Sequence, residues 1–320
     1  MQREPQTSVI SQSANLPICQ FWYSSAVFDR ARLAVISALP MLALIAASAF
    51  AQSNWTLRQA PFQIFGNTYY VGTRGLSVIL ITSDEGHVLI DAALPESASA
   101  VASSIRALGF KVEDIRLIVG SHVHFDHAGG MSELQRMSGA SAAATQWSAS
   151  VLTSGVVPRS DPQFGVVPPI ASVRNVKVVT DGEAMRVGDL VMTAHETPGH
   201  TPGGTSWTWR SCHRNDCADF VYADSLTAVS AEGFLFTGSR DYPHALADFE
   251  RSFRTLETVA CGILLTPHPE ASGLWERLER RDTKSDAGAM KDPEACRRYV
   301  SAARERLDKR IALESPIPNP

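Results

Sequence analysis

Four side chains that can bind a metal ion lie within six residues of this sequence. They are His122, His124, Asp126 and His127, in the segment Ser-His-Val-His-Phe-Asp-His at 121–127. A buried imidazole or carboxylate without a partner is costly, so such density rarely serves packing alone. Zinc accepts histidine nitrogen and aspartate oxygen, and it does so at about 2.0 to 2.2 Å. The segment therefore predicts a zinc site.

The spacing within this segment suits two ions rather than one. In an extended loop His122 and His124 point the same way, whereas Asp126 and His127 follow a bend and can face a second ion. Each catalytic zinc ion needs about three protein ligands and an open position for water. Further ligands must therefore come from other segments.

Two more histidines lie in loops where proline and glycine fix a sharp backbone course. His200 lies in Pro-Gly-His-Thr-Pro-Gly-Gly at 198–204, and His268 lies in Leu-Thr-Pro-His-Pro at 265–269. Such residues leave room for an ion to approach. We expect both histidines to join the cluster.

Two adjacent cations would lower the pKa of a water molecule from 15.7 to about 7 and make it a nucleophile at neutral pH. Asp126 is then a candidate catalytic residue, because its carboxylate can orient that nucleophile. The sequence contains no S-x-x-K or G-x-S-x-G element, so we expect no acyl-enzyme.

The elements around these loops alternate between short strands and helices. Apolar β-rich runs at 68–71, 78–82 and 88–91 start an antiparallel sheet, and a helix is expected from Pro95 to Leu108. Later strands are expected at 117–119, 140–144, 173–179, 190–196, 207–210, 220–223 and 263–266, with helices near 131–137 and 246–256. This order predicts an α+β fold with two sheets sandwiched between helical layers, in one domain over residues 52–320.

His87, beside a turn glycine, is expected at the surface.

The first 51 residues resemble an export signal. Arg30 and Arg32 precede an apolar run from Leu33 to Phe50, and Ala49 and Ala51 have the A-x-A spacing of a cleavage site. We expect cleavage after Ala51, a periplasmic mature protein with no stable membrane anchor, and a gene start over-extended through about residue 28. An uncleaved anchor is the alternative, since the run has 18 residues.

Four of the five cysteines follow this signal, an even number that suits an oxidising compartment. Three pairings can be drawn. The short separation of Cys212 from Cys217 favours that pair, which leaves Cys261 with Cys296. A zinc knuckle of Cys212, His213 and Cys217 is the competing interpretation.

The formal net charge of −4, without a basic stripe, argues against a nucleic-acid partner.

The three ligand-bearing segments together resemble the metallo-β-lactamase superfamily, and within it the third subclass of class B β-lactamases. The matching stretches are H-x-H-x-D-H at 122–127, P-G-H-T-P-G-G at 198–204, Y-A-D-S-L at 222–226, Y-P-H at 242–244 and T-P-H-P at 266–269. The resemblance implies a four-layer αβ/βα sandwich. It also implies hydrolysis of penicillins, cephalosporins and carbapenems, hence antibiotic resistance, with a small-molecule β-lactam as partner. We expect a monomer.

The resemblance assigns roles residue by residue. It implies two Zn²⁺ per chain, the first held by His122, His124 and His200 and the second by Asp126, His127 and His268. It places Ser225 and Thr227 at the substrate carboxylate, lines the same groove with Gln163, and pairs Cys261 with Cys296.

One point of register separates this function from its alternatives. Many relatives with the same fold bridge both metals with an aspartate, at a position that aligns with Ser225 here but with Asp224 after a slip of one residue. An Asp224 bridge would favour a lactone or thioester as substrate. A zinc carrier without catalysis is disfavoured, because the ligand set leaves positions open for water. The acidic balance and export signal disfavour a nuclease.

Overall fold

The computed structural model describes residues 54–286 and 288–314, which contain two β-sheets and the helices around them. The strands are β1 (Phe62–Phe65), β2 (Thr68–Tyr70), β3 (Ile79–Ile81), β4 (His87–Ile90), β5 (Ile115–Val119), β6 (Ser141–Ala144), β7 (Val176–Val178), β8 (Ala184–Val187), β9 (Leu190–Glu196), β10 (Thr205–His213), β11 (Asp216–Tyr222) and β12 (Ile263–Leu265). The α-helices are α1 (Ala98–Ala107), α2 (Phe125–Ala128), α3 (Met131–Ser138), α4 (Gln146–Ser154), α5 (Ala245–Thr258), α6 (Leu274–Lys284) and α7 (Ala295–Glu314). The expected signal peptide, residues 1–51, lies outside the described residues.

The first sheet has seven strands in the order β1-β2-β3-β4-β5-β6-β7. Its first four strands pair antiparallel, which confirms the antiparallel start predicted for β2 to β4, and β4 to β7 pair parallel. The second sheet has five strands in the order β12-β11-β10-β9-β8, antiparallel except for the parallel pair β11 and β12.

The central strands are apolar on both faces, because each face packs against another layer. In β5, Leu117 and Val119 point to the core between the sheets, while Ile118 points to the helices outside. In β11, Phe220 faces the same inter-sheet core and Val221 faces the helices of the opposite side. The core between the sheets also contains Trp207, which is fully buried.

Helices complete the outer layers. Val101 of α1 and Leu134 of α3 pack on the first sheet. On the second sheet, Phe249 and Phe253 of α5 are fully buried beside Val300 of α7. The predicted sandwich of two sheets between helical layers is therefore confirmed. Within the described residues, no helix combines the length and apolar character needed to span a membrane.

Two disulfides are present. Cys212 pairs with Cys217 across the β10–β11 hairpin, where the two residues are register partners. Cys261, just before β12, pairs with Cys296 at the start of α7. This is the expected pairing, and it excludes a zinc knuckle that uses the thiolates of Cys212 and Cys217.

The expectation that His87 lies at the surface was wrong. His87 is the first residue of β4 and is buried, with its ring 5.3 Å from that of Phe110 in an edge-on contact. All four residues of β4 are buried, so a side chain on either face of this strand is covered, and Phe110 covers that of His87. Strands β1 and β8 and helix α4 were not predicted from the sequence.

Candidate metal centre

The loops that carry the predicted ligands leave the ends of three strands. The segment 121–127 follows β5, the turn with His200 follows β9, and the loop with His268 follows β12. Because β9 and β11 both run antiparallel to β10, and β12 runs parallel to β11, the C-terminal ends of β9 and β12 lie at one edge of the second sheet. Hydrogen bonds then join the two sheets at this edge: Thr205 N donates to Ser121 O at 2.8 Å.

The imidazole rings cluster tightly around His122. Its ring centroid lies 4.7 Å from that of His124, 4.4 Å from that of His127 and 4.7 Å from that of His200. The ligand atoms of His122, His124 and His200 all lie within 4.8 Å of one another. These three buried side chains, which we name the first metal group, can hold one ion.

A second metal group shares His122. Ligand atoms of His122, Asp126 and His127 lie within 4.8 Å of one another. His268 lies at the edge of this group, with Nε2 3.5 Å from Asp126 Oδ2 and its ring 4.8 Å from that of His127. The structure thus brings all six predicted ligands together around two adjacent positions.

The second nitrogen of most rings is already held by an acceptor outside the cluster. A ring nitrogen beside a carbonyl or carboxylate carries the proton, which leaves the lone pair of the other nitrogen for a metal. The contacts are His122 Nδ1 with Asp224 Oδ1 at 2.7 Å, His124 Nε2 with the Asp161 carboxylate at 3.1 and 3.2 Å, His200 Nδ1 with Thr227 O at 2.8 Å, and His268 Nδ1 with Gly75 O at 3.3 Å. This donor set fits divalent zinc.

Burial keeps most of these imidazoles uncharged. Desolvation, assisted by neighbouring rings, lowers the pKa of His122 well below its ordinary value and that of His200 to about 3. It also lowers the pKa of His268 to about 4. Neutral imidazole is the form that binds a metal.

Asp126 and His127 behave as an ion pair. Burial alone would raise the pKa of Asp126, but His127 and His268 outweigh it and hold that pKa below its ordinary value. Burial alone would lower the pKa of His127, but the Asp126 carboxylate, 3.1 Å away, outweighs it and raises that pKa. At neutral pH, Asp126 is therefore an anion available to a cation.

Asp224 contacts the nitrogen of His122 that faces away from the metal positions, and it does not lie between those positions. Its Oδ1 contacts His122 Nδ1, and neither metal group includes it. The carboxylate is fully buried, and burial raises its pKa to about 7. Asp224 therefore orients His122, and the register that made it a bridge between metals does not describe this structure.

The expected substrate-binding residues lie around the same cluster. Thr227 Oγ1 lies 3.2 Å from His200 Nδ1, and Ser225 is buried two residues earlier in the same loop. Gln163, expected to line the groove, has Nε2 3.3 Å from His124 Nδ1. All three side chains thus belong to loops that contact ligand histidines.

Sequence reasoning missed two buried carboxylates, Asp91 and Asp161. Asp91 has φ 61°, in the left-handed region, and accepts hydrogen bonds from Ser121 N at 2.7 Å, Ser121 Oγ at 2.8 Å and Tyr222 OH at 2.6 Å. Burial raises its pKa to about 6. Asp91 thus anchors the ligand segment to both sheets. An aspartate at the end of an apolar strand was the only available signal.

Comparison with known proteins gives a consistent result. Residues 71–276 match the family model described as the metallo-beta-lactamase superfamily. The chain is similar to the solved structure of the Rm3 metallo-beta-lactamase, with 52% identity and a TM-score of 0.80 over 82% of this chain and 97% of that one. It is also similar to MEM-A1, a subclass B3 metallo-beta-lactamase from a soil metagenome library, with 50% identity and a TM-score of 0.80 over 81% and 98% of the two chains.

Similarity to curated proteins is weaker. A hydroxyacylglutathione hydrolase from Methylobacterium nodulans is 28% identical over 187 residues, which are 58% of this chain and 49% of that protein. The chain therefore spans about half the length of that relative.

Proposed function

Because this chain belongs to the metallo-β-lactamase superfamily, we propose that it hydrolyses the amide bond of β-lactam antibiotics with two bound zinc ions. The observation that carries the proposal is the pair of metal groups sharing His122, on a fold that matches Rm3 along 97% of its length at 52% identity. The substrates proposed are penicillins, cephalosporins and carbapenems, and the proposed biological role is antibiotic resistance.

Each metal group would hold one zinc ion. The first would be held by His122, His124 and His200, and the second by Asp126, His127 and His268, with His122 close to both. When bound, zinc acts as a Lewis acid and makes water nucleophilic at neutral pH.

The side chains of this protein then arrange the reactants. Asp126, held as an anion by His127, accepts a hydrogen bond from the attacking water and orients it. The hydroxyl groups of Ser225 and Thr227 donate to the substrate carboxylate, and the amide of Gln163 lines the same groove beside His124 Nδ1. Holding the reactants in this way supplies the proximity that hydrolysis needs.

A lactone or thioester is the alternative substrate class. It would be favoured by a carboxylate between the two metal groups, and Asp224 is instead hydrogen-bonded to the far nitrogen of His122. The position between the ions is thereby left to water and substrate. This contact favours the β-lactam over the alternative.

The proposal is tested with the purified mature chain on a panel of a carbapenem, a cephalosporin and a homoserine lactone, with and without a chelator. We expect turnover of the two β-lactams that EDTA abolishes and zinc restores. Elemental analysis should find two zinc ions per chain. Turnover of the lactone alone would overturn the proposal in favour of the alternative, and full activity in EDTA would overturn both.

His200→Ala tests the assignment of the first metal group. Loss of this imidazole should abolish β-lactam turnover and remove about one zinc ion per chain, since zinc needs about three protein ligands. His195→Ala is the matched control, because His195 contacts Thr208 on the sheet and no ligand. Retention of both zinc ions and activity in His200→Ala would contradict the assignment.

We also propose that the protein acts in the periplasm. The support is the signal-like segment ending at Ala51 and the two disulfides, which form in oxidising compartments. Mass spectrometry of the protein from a periplasmic extract should give Gln52 as the first residue. An intact N-terminus in the membrane fraction would indicate an uncleaved anchor.

A further inference from the structure

Asp161 is a fully buried carboxylate in a loop that is exposed from Phe164 to Val166. Both of its oxygens lie near His124 Nε2, at 3.2 and 3.1 Å, and Oδ1 also accepts a hydrogen bond from Gln163 N at 2.8 Å. Burying a charge is costly unless it is paired and hydrogen-bonded. The partners of this charge are a ligand of the first metal group and the backbone of a residue that lines the cleft.

Hydrogen bonds hold the same loop on both sides of Asp161. Trp147 Nε1 donates to Ser160 Oγ at 3.0 Å, just before the carboxylate. Ala231 N donates to Pro162 O at 2.8 Å, just after it, which joins this loop to a second one at 228–241. Asp161 therefore lies where His124 and both loops meet.

Exposed apolar side chains mark the outer edge of these two loops. Phe164 and Val166 are 40% and 61% exposed on the first loop, and Val229 and Leu235 are 51% and 45% exposed on the second. Large apolar side chains grouped in the open on loops beside a cleft are typical of ligand-binding surfaces. We call this edge the apolar rim.

We propose that Asp161 is a positioning residue that couples the first metal group to the apolar rim. Its carboxylate keeps the proton of His124 on Nε2, which leaves the Nδ1 lone pair for the metal. Its bond to Gln163 N sets the course of the loop that presents Gln163 and the rim to the substrate. The part of this inference that concerns substrate rests on the proposed function.

The geometry around His124 makes the coupling specific. Gln163 Nε2 lies 3.3 Å from His124 Nδ1, so both ring nitrogens of this ligand face the loop that Asp161 holds, and a metal bound to Nδ1 would take the lone pair that this contact uses. A shift of the loop therefore changes the metal ligand and the substrate contact together. Carboxylates that hold a ligand histidine affect metal affinity by about 10- to 100-fold.

The test compares Asp161→Asn with Asp241→Asn, an exposed aspartate in the second loop. In Asp161→Asn, nitrogen-detected NMR of the metal-free protein should show His124 losing its single Nε2–H form. Affinity for the first zinc ion, measured by competition with a chelator, should fall by about 10- to 100-fold. At saturating zinc, KM for a cephalosporin should rise more than kcat falls. Asp241→Asn should change none of these.

A single tautomer of His124 in Asp161→Asn, with zinc affinity within twofold of the unchanged protein, would overturn the proposal. If this variant does not fold, NMR of the unchanged metal-free protein decides instead: the proposal requires a proton on His124 Nε2, and one on Nδ1 refutes it. The tautomer and the zinc affinity do not depend on any β-lactam. Failure of the proposed function would therefore appear separately, as a lack of turnover by the unchanged protein.

Discussion

His122 has contacts that no other ligand in the cluster combines. It belongs to both metal groups, and its Nδ1 is held by the buried Asp224. Tyr299 OH, from helix α7, donates to the backbone carbonyl of Asp224 at 2.9 Å. Helix α7 therefore positions Asp224, and Asp224 in turn orients His122. The position of one ring thus depends on a helix far along the chain.

The neighbours Asp224 and Ser225 can be separated by mutation. In Asp224→Ala, His122 loses its acceptor, and we expect zinc affinity to fall by about 10- to 100-fold. In Ser225→Ala, a hydroxyl proposed to bind substrate is lost, and we expect KM to rise while zinc content stays at the unchanged level. Chelator competition and steady-state kinetics on both variants check this. Equal zinc affinity in the two variants would contradict the role given to Asp224.

Acidification should empty the two metal groups in order. A proton competes with a metal for the same imidazole, so the ligand with the higher pKa loses its metal at the higher pH. The pKa of His127 is raised by Asp126, whereas burial lowers that of His200 to about 3. As the pH falls from 7, the second group should therefore release its ion first. Metal analysis after dialysis at successive pH values checks the order, and simultaneous release would contradict it.

At the scale of elements, the turn that carries His200 depends on helix α5. Gly199 has φ +139°, and an added Cβ there would lie 2.7 Å from the ring of Phe249. Ser252 Oγ donates to Pro198 O at 2.6 Å. The helix therefore fixes the turn by packing and by hydrogen bonding.

Gly199→Ala should disturb this turn, and Gly109→Ala is the matched control. Gly109 also has positive φ, at +88°, but nothing lies within 4 Å of its added Cβ. The control should lose about 1 to 2 kcal/mol of stability from backbone strain alone. Gly199→Ala should lose a further 1 to 3 kcal/mol or so by overpacking, together with zinc affinity. Urea unfolding measures the stability, and equal losses in the two variants would count against the packing argument.

Much of the fold could be predicted from local patterns in the sequence. The elements that were missed or misplaced were so for physical reasons. Strand β9 was predicted at its observed bounds, and the apolar stripe of α5 packs as expected, because both have a clear period. Helix α4 was missed, since Gln146–Ser154 mixes small, polar and apolar residues. His87 was misplaced because both faces of β4 are covered, which a glycine beside the start of the strand does not reveal.

The candidate site was likewise predicted in part. The six candidate ligands could be found because they lie in distinctive segments or match a family pattern. Asp161 could not, since its partner His124 is 37 residues away, and Asp91 is 30 residues from Ser121. Only the folded backbone brings those residues into contact.

At the scale of the molecule, hydrogen bonds join the two sheets near the metal groups and also further along β10. Near the metal groups, Trp207 Nε1 donates to Gly120 O after β5 at 3.0 Å, and Tyr222 OH donates to Asp91 Oδ2 at 2.6 Å. Further along β10, Trp209 Nε1 donates to Thr68 Oγ1 at 3.0 Å and Ser211 Oγ donates to Phe65 O at 3.3 Å. The apolar core fills the space between the sheets around these contacts.

The candidate ligands, with His268 included in the second group, come from loops of both sheets, so each ion, when bound, would cross-link the two sheets. Binding at a metal concentration about 1,000 times Kd stabilises the folded state by about 4 kcal/mol per site. Loss of both ions would remove about 8 kcal/mol. Chelation should therefore lower Tm by roughly 15 to 30 °C, which differential scanning calorimetry can check, and an unchanged Tm would refute this cross-link between the sheets. Cells starved of zinc would then lose the protein itself to proteases, and not only its activity.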